Sequence, residues 1–221
     1  MATSEHTITV HPAHAADAPV VYLPVVEGDG SDVYSSCREL GCPDHTLVAI
    51  GGIDWNRELS PWQCDAITRE SEPFGGEAKT FLAELEDAIA PSVEAGLDAK
   101  PRYRALAGYS LAGLFALWAA TQTGAFARMA SVSGSLWFPG FVDYLEQHGF
   151  TEQPQRVYLS LGKKEHKTPN RMMRNVLTVT QNIEQYVQDQ NIPNVFELNP
   201  GNHFYEPTLR CARGITWLLS E

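Results

Sequence analysis

One five-residue turn, Gly108-Tyr109-Ser110-Leu111-Ala112, constrains the fold of this chain more than any other feature. It stands between a short apolar run typical of a buried strand, 103–107, and an almost continuously apolar run typical of a buried helix, 111–122. A glycine before the serine and a small residue after it permit the sharp strand-to-helix turn called a nucleophile elbow, which lifts a serine hydroxyl out of a sheet. The turn therefore predicts a strand, Ser110 and a helix in succession. The alternative is a Gly-Ser turn without chemistry.

Strand-like and helix-like runs alternate along the rest of the chain. Strand-like runs cover 7–10, 20–26, 46–51, 103–108, 129–133, 157–161 and 195–198, and helical spacing covers 79–89, 111–122, 175–190 and 208–219. This alternation predicts an α/β fold with a mostly parallel central sheet flanked by helices on both faces. The segment 136–150 is too short for a large lid. With no repeat and no linker, the chain is expected to form a single domain over 1–221.

Charge and cysteine pattern exclude several classes of function. A formal net charge of −11 argues against nucleic acid as a partner, because phosphates favour a basic surface. No apolar run approaches the roughly 18 to 20 residues of a membrane helix, so no membrane partner is expected. Residues 1–6 lack the basic start and apolar core of a secretory signal, which favours the cytoplasm. Four scattered thiols without metal-ligand spacing or a disulfide framework are expected to stay reduced: Cys37, Cys42, Cys64 and Cys211. Whether Cys37 and Cys42 ever pair is left open.

His203 is the histidine best placed to act on Ser110, whose hydroxyl needs a base to take its proton. It lies in a turn-rich loop, 199–204, directly after the last predicted strand. Hydrolases with a nucleophile elbow carry their histidine in that late loop, in the order serine, acid, histidine. The alternative is a solvent-exposed loop histidine. The other six histidines fall in a loosely ordered start, before a strand, at a helix end or in a charged cluster: His6, His11, His14, His45, His148 and His166.

Glu165 is the candidate acid that would orient the imidazole and stabilise its positive form. It follows the predicted strand 157–161, which lies between the elbow and His203 in the chain. The alternative is a surface carboxylate that pairs weakly with nearby lysines. Asp143 and Glu206 are weaker candidates, since one comes too early in the order and the other stands close to His203.

Two backbone N–H groups are needed to stabilise the oxyanion of a tetrahedral intermediate. The amide of Leu111, directly after the candidate nucleophile, is the first candidate donor. The second donor is expected from the loop after the third strand, where Gly52 and Ile53 are equal candidates. The alternative for this loop is a plain Gly-Gly strand exit.

Four segments together resemble the putative esterase family of α/β-hydrolases, which includes the esterase D or S-formylglutathione hydrolase type and the enterochelin esterases. They are GYSLAGLFALW at 108–118, SVSGSLW at 131–137, LGKKE at 161–165 and GNH at 201–203. Residues 54–62 resemble the family's loop after the third strand. The resemblance implies an α/β-hydrolase fold with Ser110 as nucleophile, His203 as base and Glu165 as acid. It leaves open a Ser–His pair without the acid, as in some siderophore esterases. Ala112 departs from the glycine usual at this position.

Several side chains near strand ends are predicted to bind substrate. Trp55, Tyr109, Trp137 and Phe138 are candidates because aromatic residues on such loops often line small-molecule sites. Arg57 is a candidate clamp for an anionic or hydroxylated acyl group. The alternative for each is ordinary packing beneath a loop.

The residues taken together predict a serine carboxylic-ester hydrolase that acts through an acyl-enzyme on a small or polar ester. A small-molecule ester would be its partner, with no metal and no cofactor. A thioesterase or a peptidase would use the same constellation, and a non-catalytic hydrolase-like binding module is the alternative from another class. The physiological ester and the oligomeric state, including a homodimer, are left open.

Overall fold

A seven-stranded sheet forms the centre of the molecule. The computed structural model describes residues 6–67 and 71–221, so residues 1–5, on which the cytoplasmic expectation partly depends, lie outside them. The strands of the sheet are β1 (Thr7–His11), β2 (Val20–Pro24), β3 (Thr46–Gly51), β6 (Arg104–Tyr109), β7 (Arg128–Val132), β8 (Arg156–Gly162) and β9 (Asn194–Asn199). Two short strands, β4 (Gln63–Cys64) and β5 (Phe74–Gly75), pair with each other separately.

The sheet order is β1-β3-β2-β6-β7-β8-β9. All neighbouring strands run parallel except β1, which lies antiparallel at the edge beside β3. The carboxyl ends of β3, β6, β8 and β9 therefore share one edge of the sheet, where ligands of such folds bind. All seven predicted strands of this sheet are present, and the mostly parallel arrangement is confirmed.

Helices cover both faces of the sheet. Their bounds are α1 (Ser31–Glu39), α2 (Trp55–Glu58), α3 (Ala78–Glu84), α4 (Ala90–Glu94), α5 (Leu111–Ala120), α6 (Phe141–His148), α7 (Val176–Asp189) and α8 (Pro207–Leu219). One face packs against α1 and α8, and the other packs against α3, α5, α6 and α7. Every residue of α5 is buried, which explains why its sequence lacks a polar face.

The sequence patterns did not predict α1 or α2, and they indicated only the end of α6, because these helices bury few residues. The nine residues of α1 bury only Val33 and Cys37, and α6 buries Phe141 and Leu145. The predicted helix 79–89 belongs to a longer segment in which a π-helical turn, Leu85–Ile89, joins α3 to α4. Pro91, the second residue of α4, has no N–H to donate, so a wider turn fits directly before it.

The first described residues are more ordered than the sequence suggested. His6 contacts the carboxylates of Glu58 and Glu84, and Nε2 of His11 contacts the Asp29 carbonyl at 2.8 Å. The expectation of a loosely ordered start is therefore wrong from His6 onward, because β1 pairs along its whole length with β3. Within 6–67 and 71–221, no helix is long and apolar enough to cross a bilayer.

Candidate active site

Ser110 lies in a strained turn between β6 and α5. Its backbone has φ 58° and ψ −119°, a conformation that non-glycine residues rarely adopt. Gly108 makes this turn sterically feasible: a Cβ there would lie 2.2 Å from the carbonyl oxygen of Ala112 and 2.8 Å from its Cβ. The small residue expected at position 112 therefore packs directly on the strand. The local geometry is that of a nucleophile elbow, with Ser110 at the carboxyl edge of the sheet.

A continuous series of hydrogen bonds joins Ser110, His203 and Glu165. Nε2 of His203 lies 3.0 Å from Oγ of Ser110, and Nδ1 lies 2.8 Å from Oε2 of Glu165. This arrangement places a proton on Nδ1 that is donated to the carboxylate, and it leaves Nε2 to accept the serine hydroxyl. Three residues from three loops, up to 93 positions apart, are thus aligned for proton transfer away from the serine.

Glu165 is held as a charged, nearly buried carboxylate rather than as a surface partner of lysines. Its side chain is 5% exposed, and Oε1 accepts hydrogen bonds from the Gly162 amide at 2.5 Å and from Nη1 of Arg210 at 3.0 Å. Burial alone would raise the pKa of Glu165, but hydrogen bonds and the charge of His203, together with the Gly162 amide, lower it below its ordinary value. The carboxylate therefore stays ionised beside the imidazole.

Arg210, which sequence reasoning missed, links Glu165 to the loop that carries His203. This residue of α8 is only 1% exposed. Besides Glu165, its guanidinium donates to the carbonyls of Pro200 at 2.6 Å and Asn202 at 2.9 Å, and to Oγ of Ser133 at 3.0 Å. The buried guanidinium of Arg210 thus holds both Glu165 and the backbone of the loop that carries His203. The sequence offers no local sign of this role, because α8 also carries Arg213 and nothing distinguishes a buried arginine from an exposed one.

Neighbouring hydroxyl groups complete the surroundings of Ser110. Oγ of Ser135 lies 3.3 Å from Oγ of Ser110, and the Ser135 amide donates to the Ser110 carbonyl at 2.9 Å. The hydroxyl of Tyr109 donates to the backbone carbonyl of His203 and so helps to hold the loop. Ser135 was not predicted as a site residue. The serines directly after β7 were the only local sign of it in the sequence.

The candidate oxyanion donors lie at the start of α5 and directly after β3. Leu111 is the first residue of α5, where the backbone N–H has no acceptor within the helix. Gly52 follows β3 directly and has φ +74°, and Ile53 is partly buried beside it. The next amide, of Asp54, donates to Glu58 at 2.8 Å and is therefore occupied. The choice between Gly52 and Ile53 stays a prediction.

A cavity of about 450 Å³ opens beside Ser110 and His203. Most of its lining is apolar: Leu23, Pro24, Val25, Val26, Val33, Trp55, Phe204 and Pro207, with Tyr109, Thr208 and Cys211. Glu27 is its one carboxylate, and neither lysine nor arginine is among the described residues that line it. The cavity is thus suited to an apolar group without negative charge.

Three predicted substrate-binding residues lie outside this cavity. Arg57 is engaged with the carboxylates of Asp54 and Glu77 at 3.3 and 3.6 Å, so its charge is already balanced. Phe138 is buried against Phe74, and Trp137 packs on the same ring. Phe138 and Trp137 lie in the loop after β7 and pack against the core, so the alternative of ordinary packing applies to both aromatic side chains.

The cysteines also depart from expectation. Cys37, Cys42 and His45 come together at the opposite edge of the sheet, with their sulfur and nitrogen atoms within 4.8 Å of one another. The expectation of scattered thiols is wrong for this pair, since the turn that ends α1 folds Cys42 back onto Cys37. All four cysteines are free thiols.

The chain matches a described protein family and is similar in fold to several solved structures. Residues 27–207 match the family described as Putative esterase. The uncharacterized protein YbbA of Bacillus subtilis (strain 168) is 23% identical over 198 residues, which cover 83% of this chain and 78% of that protein.

Solved structures with the same fold include an IroE-like serine hydrolase from Shewanella oneidensis, with a TM-score of 0.78 at 19% identity over 96% of this chain and 75% of the other. The siderophore hydrolase EstA from Aspergillus nidulans has a TM-score of 0.70 at 19% identity, with coverage of 96% and 89%. At this level of identity the likeness concerns the fold. The predicted α/β-hydrolase architecture is confirmed.

Proposed function

The chain belongs to the Putative esterase family, and from this membership we propose that it is a serine carboxylic-ester hydrolase that works through an acyl-enzyme. The observation that carries the proposal is the continuous series from Glu165 through His203 to Ser110, with contacts of 2.8 and 3.0 Å beside an open cavity. A nucleophile, a base and a group that orients the base are the parts that acyl transfer requires.

The first half of the reaction forms the acyl-enzyme. Oγ of Ser110 attacks the ester carbonyl while Nε2 of His203 takes its proton. The carbonyl oxygen becomes an oxyanion that accepts hydrogen bonds from the Leu111 amide and from Gly52 or Ile53. When this tetrahedral intermediate collapses, the bond to the alkoxy oxygen breaks, and His203 returns the proton to the leaving alcohol.

The second half releases the acid. Water attacks the acyl-serine with His203 as base, a second tetrahedral intermediate forms, and its collapse restores the Ser110 hydroxyl. Glu165 stabilises the imidazolium in both halves and keeps Nδ1 as the protonated nitrogen. Arg210 holds Glu165 and the carbonyls on either side of Gly201, so that the distance between acid and base changes little during turnover.

The cavity favours an uncharged or cationic substrate of moderate size. Its apolar lining would bury an alkyl or aryl group, and about 25 cal/mol per Å² of buried apolar area would contribute to binding. Glu27 at the lining and a net charge of −11 disfavour anionic acyl groups. We therefore propose an apolar ester instead of the more polar substrate expected from Arg57, although solved relatives with this fold include siderophore hydrolases.

A series of p-nitrophenyl esters, from acetate to decanoate, tests this function with Ser110→Ala and Ser135→Ala as a matched pair. The two serines have adjacent hydroxyls, but only Ser110 faces His203. The expected result is hydrolysis by the wild type that rises with chain length until the cavity is filled, persists in Ser135→Ala and vanishes in Ser110→Ala. Folded protein without hydrolysis of any ester would favour the binding module, and activity retained in Ser110→Ala would refute the nucleophile.

A further inference from the structure

Cys37, Cys42 and His45 form a compact group, the Cys42 cluster, at the edge of the sheet opposite Ser110. His45 directly precedes β3, whereas Ser110 directly follows the parallel strand β6, so the two sites lie at opposite strand ends. The sulfur and nitrogen atoms of the cluster all lie within 4.8 Å of one another. The ester chemistry proposed above uses none of these residues.

The turn that ends α1 creates this proximity. The Cys42 amide donates to the Cys37 carbonyl at 3.0 Å, and the Gly41 amide donates to the Arg38 carbonyl at 3.1 Å. These two bonds, with Gly41 at φ +69°, define a Schellman motif, in which the side chains at the positions of Cys37 and Cys42 come into contact. The two thiols are thus held together by backbone geometry.

The two thiols have different surroundings. Cys37 is fully buried, and its Sγ lies 3.8 Å from the Ala212 carbonyl of α8. Cys42 is half-buried and lines a cavity of about 240 Å³ together with Arg38 and His45. His14 and Asp44 also line this cavity. A small reagent can therefore reach Cys42 first, with Cys37 directly behind it.

The contacts of Cys42 favour its thiolate. Its Sγ lies 3.6 Å from Nδ1 of His45. The hydrogen bond from Cys37 outweighs burial and, with the hydrogen bond and charge of His45, lowers the pKa of Cys42 to about 5. The bond to Cys42 and burial raise the pKa of the Cys37 thiol. Cys42 is accordingly the nucleophile of the pair, and Cys37 is the proton-bearing partner.

We propose that Cys42 is a hydroperoxide-reactive thiol and that Cys37 resolves it into a disulfide. The Cys42 sulfur attacks one oxygen of the hydroperoxide, so that an S–O bond forms, the O–O bond breaks, and the departing oxygen leaves as water or an alcohol after protonation. Cys37 then loses its proton and attacks the Cys42 sulfur; the S–S bond forms and the S–O oxygen leaves as water. Two thiols lose two electrons, and one hydroperoxide gains them.

Peptide mapping of the full chain tests the disulfide directly. Trypsin cuts after Arg38, between the two cysteines, and next after Arg57, so a Cys37–Cys42 disulfide links peptides 1–38 and 39–57. After treatment with about one equivalent of hydrogen peroxide, the linked pair is expected in most molecules, and reduction should separate it. Absence of the linked pair at ten equivalents would overturn the proposal.

Two variants assign the roles, and Cys64 serves as a matched control. Cys64 is also half-buried, but burial raises the pKa of its thiol, so alkylation by iodoacetamide at pH 6 should be at least about tenfold faster at Cys42. Cys37→Ser should leave a sulfenic acid on Cys42 that dimedone traps, and Cys42→Ser should yield neither product. Equal alkylation rates at Cys42 and Cys64 would overturn the proposal. So would stoichiometric binding of Zn²⁺ that protects both thiols of the protein as purified, because the cluster would then be a metal site.

Discussion

Two nucleophiles are proposed in this molecule, and each contacts a histidine. The two pairs differ in what the other ring nitrogen of that histidine contacts. At one edge of the sheet, Ser110 contacts Nε2 of His203, while Nδ1 donates to Glu165. At the other edge, Cys42 and the Pro43 carbonyl both contact Nδ1 of His45, and among the described groups Nε2 has no hydrogen-bond partner.

The chemistry of a histidine ring thus depends on the group that its other nitrogen contacts. A serine hydroxyl becomes nucleophilic only if its base can accept a proton, and a carboxylate behind the ring stabilises the resulting cation. A thiol ionises far more readily and needs only a nearby donor. We therefore expect His203 to move a proton and His45 to stabilise a charge. Variants of the two pairs separate these two roles.

The two sites should differ most in kcat when the two proposed nucleophiles are replaced. Ser110→Ala should lower kcat for a p-nitrophenyl ester by about 10⁶, the scale seen when a catalytic serine is removed. Cys42→Ser should leave kcat unchanged, since the cluster lies at the opposite strand ends. Steady-state kinetics on the two purified variants decide the matter, and a large loss in Cys42→Ser would show that the sites are coupled.

The two histidines should differ almost as much. His203→Ala is expected to reduce kcat/KM by at least about 10⁴ with little change in thermal stability, because the ring, whose side chain is 23% exposed, contributes mainly to proton transfer. His45→Ala should preserve kcat but slow the alkylation of Cys42 at pH 6. Unfolding of His203→Ala, seen by circular dichroism, would instead assign that ring a structural role.

Glu165→Gln distinguishes a triad from a Ser–His pair. Loss of the carboxylate removes control of the tautomer, and kcat should fall by about 10⁴. Near-wild-type turnover would contradict this and would mean that the Ser110–His203 pair works without its acid. Measurement of kcat at saturating ester is the appropriate readout, because Glu165 does not line the cavity.

Arg210 and Arg213 on the same helix provide a matched test of stability. Arg210→Met leaves Glu165 buried without its cation, which should cost about 3 to 5 kcal/mol in the free energy of unfolding. Arg213 pairs with Glu197 at the surface, with both side chains more than a third exposed, and Arg213→Met should cost less than about 1 kcal/mol. Urea unfolding of both variants gives the comparison; equal losses would contradict the role assigned to Arg210.

The smallest expected effect is the pH dependence that Glu165 contributes. Its pKa in the folded chain lies below the ordinary value of 4.5, so the carboxylate stabilises the fold above about pH 4.5. That contribution is lost as the pH falls through the folded-state pKa. The difference in unfolding free energy between wild type and Glu165→Gln should therefore shrink from pH 7 to pH 3. A difference that grows toward pH 3 would mean that the pKa of Glu165 is raised.

The parts of the molecule that local sequence encodes were predictable. Buried strands are short apolar runs, and the elbow is a contiguous motif, so the sheet and the position of Ser110 followed from the sequence. His203 and Glu165 could be nominated because each directly follows a strand whose carboxyl end meets the same edge. What they do in catalysis is still a prediction.

Long-range contacts account for what could not be predicted. Arg210 lies 45 positions from Glu165, and nothing local shows that its side chain turns into the site instead of into solvent. Phe138 and Arg57 were assigned to the cavity because residues after strands often line it, but loop conformation decides whether such side chains face a ligand, the core or a carboxylate. The Cys42 cluster depends on a helix-ending turn in a helix with only two buried residues.

Labelling with a fluorophosphonate tests the serine mechanism itself, because the reagent reacts with an activated serine whatever the physiological ester. Intact-mass and peptide analysis of the wild type should show one adduct per chain, located on Ser110 and not on the neighbouring Ser135, and the adduct should be nearly absent in His203→Ala. A folded wild-type chain that takes up no label, or takes it up at another residue, would contradict the assignment of Ser110 and His203 as nucleophile and base.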